Sequence, residues 1–107
     1  MAKQQEDFLS KLVLWNNDPE HAELVREKAE AGNVDAQYAL GLMYAEGRGI
    51  EPDDIQAYVW LTHAVAQGDQ DAATLRYVLL SKMAPNDIAA AVRRVEQGAN
   101  PEERARA

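Results

Sequence analysis

The chain is 107 residues long, 47% hydrophobic and 27% charged, with a formal net charge of −7 and no cysteine. That is enough apolar material for one domain with a core, and the missing thiols exclude disulfides, thiol nucleophiles and cysteine-based zinc sites. Fourteen acidic residues stand against five basic ones over 1–71, and four against six over 72–107, and such an acidic body repels phosphate and argues against nucleic acid as a partner.

Ala is abundant, whereas Thr occurs twice, Ile three times and Phe once, which leans the chain toward helix. A first helix is predicted over 4–15, with Phe8, Leu9, Leu12, Val13 and Trp15 largely on one face. It breaks at Asn16-Asn17-Asp18-Pro19, where Asp18 is placed to cap a second helix over 19–31 that has Pro19 at its first position. Ala22, Leu24, Val25 and Ala29 form the stripe of that helix, and Gly32-Asn33 stops it. A third helix over 34–45 carries Ala36, Ala39, Leu40, Met43 and Tyr44 at helical period. Gly41 lies inside it, a residue that lets a neighbouring helix come close and otherwise costs about 1 kcal/mol against Ala.

After the loop Gly47 to Pro52, a fourth helix runs from Asp53 or Asp54 to Gln67, burying Ala57, Trp60, Leu61, Ala64 and Val65. Gly68-Asp69 separates it from a fifth helix over 71–82, with Ala72, Leu75, Val78 and Leu79 on one side. Pro85 opens a sixth over 85–97 through Ile88, Ala89, Val92 and Val95, and a charged tail over 101–107 is expected to be disordered. Residues 1–100 are therefore expected to form a single domain. No apolar run nears the length of a signal core or a membrane span, so a cytoplasmic protein that does not enter membranes is expected.

The chain also repeats itself. Gly32-Asn33-Val34-Asp35-Ala36 matches Gly68-Asp69-Gln70-Asp71-Ala72 at a spacing of 36, and the same shift places Leu24 under Trp60 and Val25 under Leu61. One complete helix–loop–helix unit, 33–68, is flanked by half units at 19–32 and 69–83 and by a capping helix at 85–98. A lone helix pair cannot bury its apolar face, whereas stacked pairs cover one another.

The positions Ala36, Leu40-Gly41, Met43-Tyr44, Gly47, Gly49, Asp54, Ala57, Trp60, Ala64 and Gly68 resemble the Sel-1-like repeat family, a relative of the tetratricopeptide repeat. In the second unit Arg76 replaces Leu40, Tyr77 replaces Gly41 and the loop glycines do not recur, so that unit reads as a cap. The resemblance implies an all-α fold, a short α-α superhelix of about one and a half repeats plus capping helices. It also implies scaffolding, complex assembly or signalling by protein contact; catalysis and a cofactor are not expected from the residues themselves. By analogy with the family, the first helix of each pair lines a concave groove. Gln37, Tyr38, Leu42 and Ala45, offset from the buried stripe, are the candidate partner-binding residues, with Tyr38 and Leu42 as apolar anchors and Gln37 as a backbone hydrogen-bonding group. The competing expectation is that the helix over 4–15 covers this patch, and the alternative function is a self-assembling homo-oligomer, so monomer and homodimer both stay open.

Chemistry is thinly provided for. His21 and His63 share no metal-binding spacing and read as solvated. Ser10 and Ser81 sit in no nucleophile motif. Glu51, Asp53 and Asp54 suit a helix start better than a metal, with Asp54 the expected cap or first-turn anchor. Gly47 and Gly49 read as turn positions rather than a phosphate loop, and Arg93, Arg94, Arg104 and Arg106 lack the interleaved aromatics of a nucleic-acid surface.

Overall fold

In the computed structural model the described residues are 18–98, and the expected helix over 4–15 and tail over 101–107 lie outside them. Five helices follow in order: α1 (Pro19–Glu30), α2 (Val34–Glu46), α3 (Asp54–Ala66), α4 (Gln70–Lys82) and α5 (Pro85–Gly98). The described residues contain no strand. Each helix packs on the next from α1 to α4, α2 also touches α4, and α5 packs chiefly on α3. This is the succession of an all-α solenoid.

The helix starts are fixed by side-chain caps, which satisfy amides that have no partner within a helix's first turn. Asp18 accepts from the Glu20 amide at 3.0 Å, Asn33 from Ala36 at 2.8 Å, Asp53 from Gln56 at 3.1 Å and Asp69 from Ala72 at 3.1 Å. Asp53 is thus the cap of α3 and Asp54 stands in its first turn. Ala84, ahead of Pro85, has no side-chain acceptor to offer α5.

The 36-residue period holds down to individual hydrogen bonds. The Gly32 amide donates to Ala29 O at 3.0 Å and that of Asn33 to Lys28 O at 3.0 Å, while Gly68 donates to Val65 O at 2.8 Å and Asp69 to Ala64 O at 3.1 Å. Gly32 and Gly68 have φ of 100° and 96°, a left-handed region that only glycine enters without strain.

Ala22, Val25, Ala29, Ala36, Ala39, Leu40, Met43, Tyr44, Ala57, Leu61, Ala64, Ala72, Leu79, Met83 and Ala91 form the continuous core. Gly41 has the expected role: a Cβ there would lie 2.7 Å from Leu61 Cγ and Cδ2 and 3.3 Å from the Ala57 carbonyl oxygen. The absent side chain lets α2 and α3 meet backbone to side chain.

Several facings differ from expectation. On α1, Leu24 turns outward and His21, expected to be solvated, is buried instead. The buried stripe runs through His21, Ala22, Val25 and Ala29, and packing on α2 decides between His21 and Leu24. Val78 on α4 is 49% exposed. On α5 the buried residue is Ala91, while Ala89 and Val92 face solvent, because α5 addresses α3 rather than closing back on α4. Trp60 is half-buried at the edge of the core, and Leu61 fills the buried position beside it.

Candidate protein-binding surface

Tyr38, Leu42 and Ala45 all lie on α2 and are half-buried, with Tyr38 and Ala45 against the core. Tyr38 and Leu42 are one helical turn apart and share a face. The Tyr38 phenol is held above the ordinary tyrosine range, first by burial and then by the negative charges of Asp71, Asp69 and Glu46. The Tyr38 ring thus sits within the field of three carboxylates.

Gln37 is a different case. It is 6% exposed, and its side-chain amide is engaged within the chain. Nε2 donates to Ala29 O at 3.1 Å, and Oε1 accepts from Gln67 Nε2 at 2.8 Å. Gln67 Nε2 also donates to Gly32 O at 3.1 Å. The amide expected to meet a partner instead ties the end of α1 to the start of α2 and the end of α3. Buried amides need such partners, since leaving one unsatisfied costs about 1–3 kcal/mol.

A second feature lies at one edge of the stack. A cleft of about 600 Å³ is lined by Ala29 and Glu30 in the last turn of α1, Gln37 on α2, Trp60 and His63 on α3, and Gly98 at the end of α5. The rings of Trp60 and His63 stand 5.4 Å apart at 55°, a tilted contact that fixes the indole. His63 is exposed, as its place off the buried stripe implied. Its neighbourhood with Glu30 joins residues 33 positions apart and had no signal in the sequence.

Arg76, Arg26 and Ser81 make contacts within the chain. Arg76 Nη1 donates to Thr62 Oγ1 at 3.1 Å, and the guanidinium lies 5.7 Å from the centre of the Tyr58 ring. Arg26 lies 5.9 Å from the centre of Tyr44. Ser81 Oγ donates to Val78 O at 2.6 Å. Gly47 and Gly49 have φ of 72° and 71°, in the loop that returns the chain to α3. Among the described residues no group of three His, Cys, Asp or Glu side chains is placed to hold a metal, and no helix is long and apolar enough to cross a membrane.

Comparison with known proteins agrees with this architecture. The family model of the Sel1 repeat matches residues 34–69, a stretch that begins at α2 and ends at the cap of α4. The alginate biosynthesis protein AlgK of Azotobacter vinelandii is 40% identical over 57 residues, 53% of this chain and 12% of that protein. The chain therefore corresponds to a small part of the length of that relative. No solved structure matches it. The matched repeat, the 36-residue period of its caps and turns, and the stacked helix pairs agree: residues 34–69 of this chain are similar to a Sel1 repeat.

Proposed function

We propose that this chain is a protein-interaction module that holds a basic, partly apolar partner segment against α2 and the start of α4. Sel1 repeats are in general protein-interaction modules, and the described surface supports that use here. The observation that carries the reading is Tyr38: a half-buried ring one turn from Leu42, under the influence of Asp71, Asp69 and Glu46. Apolar anchors supply contact area, and the carboxylates favour cationic residues beside them and raise the encounter rate. Ala45 extends the apolar strip, while Gln37 contributes by fixing the backbone from which Tyr38 projects.

The test is affinity capture with the intact chain and with a Tyr38→Ala, Leu42→Ala double variant. The double variant is expected to lose the captured partner while its far-ultraviolet circular dichroism is unchanged. Loss of the helical signal would mark both residues as core and overturn the assignment.

A second reading, self-association, is favoured by one specific observation. Tyr77 is 75% exposed and Val78 49% exposed on α4, the helix that α5 leaves open. Light scattering over a concentration series separates the two: rising mass favours assembly of copies, and constant mass favours the interaction module.

A further inference from the structure

We propose that the cleft between α1, α3 and α5 is a socket for the guanidinium of an arginine carried by a protein partner. The inference rests on the reading of the chain as a protein-interaction module, but on a different set of residues.

Two observations on the cleft point the same way. First, among the described residues that line it, the one side chain with a fixed charge is the carboxylate of Glu30, in the last turn of α1, whose charge also acts on Arg26 of the same helix. Second, the cleft is lined by the indole of Trp60, which packs on the core and stands 5.4 Å from the His63 ring.

A flat cation that stacks on an aromatic face and forks onto a carboxylate answers both at once, and that describes guanidinium better than ammonium. The volume of about 600 Å³ accommodates the whole side chain and leaves room for the backbone that carries it. Gln37 cannot take over the role of Glu30, because both ends of its amide are engaged by Ala29 and Gln67.

The test uses the full chain with Trp15→Phe, which leaves Trp60 as its one tryptophan, and follows the Trp60 indole N–H resonance. The probe is a blocked tripeptide, glycyl-arginyl-glycine, compared with its citrulline counterpart, which keeps the shape and removes the charge. A saturable shift is expected with arginine, at least tenfold weaker with citrulline. Glu30→Gln is expected to weaken the arginine response several-fold without changing the thermal midpoint. A Tyr38→Ala, Leu42→Ala background is expected to keep the response, so failure of the α2 surface and failure of the socket are separable. Equal responses to arginine and citrulline, or none to either, overturn the proposal. A response that emerges only after Arg104→Gln and Arg106→Gln assigns the socket to the chain's own arginines and overturns the partner assignment.

Discussion

The first helix pair, α2 and α3, and the second, α4 and α5, begin with the same capped turn and end in different structures. In the first, a loop over 47–53 returns the chain, Gly41 opens a contact with Leu61, and Leu40 fills the centre. In the second, only residues 83–84 link the helices, Tyr77 occupies the Gly41 position and Arg76 the Leu40 position. The ring of Tyr77 stands in solvent, Arg76 reaches sideways to Thr62 and Tyr58, and α5 crosses to α3. A missing side chain at one position and a long return loop distinguish a helix pair that closes on itself from one whose second helix packs on a neighbour instead.

Four comparisons of variants bear on that contrast. The largest effect is expected at the Leu40 and Arg76 pair. Leu40→Ala empties a fully buried site and is expected to cost about 2–5 kcal/mol, whereas Arg76→Ala loses a half-exposed hydrogen bond and ring contact worth about 1 kcal/mol. Urea titrations of both variants give the ratio, and similar costs would show that the second pair is as closely packed as the first.

Next comes Gly41→Tyr, which gives the first pair the residue of the second. With Leu61 buried and unable to move aside, overpacking is expected to cost about 3 kcal/mol. Tyr77→Ala, at the matching exposed position, is expected to stay within about 0.5 kcal/mol of the parent. Thermal midpoints measured side by side would break the comparison if the two costs were equal.

The caps give a smaller, signed test. Asn33→Ala and Asp69→Ala are each expected to lose about 1 kcal/mol, and Ala84→Ser, supplying the acceptor that α5 lacks, to gain about 0.5 kcal/mol. A loss at Ala84→Ser would mean that the start of α5 needs a tight apolar fit rather than a cap.

The smallest effect is alkaline. Tyr38 holds its proton more tightly folded than unfolded, through burial and then through Asp71, Asp69 and Glu46. Its contribution is therefore fully present below the unfolded tyrosine value of about 10 and is lost as pH rises through the higher folded value. The difference in urea midpoint between the parent and Tyr38→Phe is expected to shift against the parent above about pH 10. A constant difference would remove the three carboxylates from the account of this surface.

Much of the fold was legible because its signals are local. Asp18, Asn33 and Asp69 mark helix starts by chemistry confined to three residues, and the alanine and leucine stripe of α2 is wide enough to survive an error of one position. The facing of α1 and α5 was not legible. His21 and Leu24 both border the stripe at helical spacing, and the neighbour that selects between them is set by tertiary packing. Val78 and Ala89 fall on the apolar stripes of α4 and α5 taken one helix at a time, and the two-residue link directs α5 onto α3, which the stripes alone do not encode. The geometry of the candidate patch was legible in part: Tyr38 and Leu42 are half-exposed and share a face, as their spacing implies. Gln37 was misread because its partner Gln67 lies 30 residues on, and a single polar side chain has no periodicity to announce such a bond. The cleft joins the ends of three helices and is a product of the stack as a whole.

The matched turns at 32–33 and 68–69 carry one more consequence. The same carbonyls, offset by 36, receive the same amides, and the same capping geometry starts the helix that follows. A splice made after Gly68 would therefore find on either side the backbone shape it left. Duplicating 33–68 there lengthens the rod by one module without inventing a new joint, so this architecture can change its reach in whole steps while its ends stay as they are.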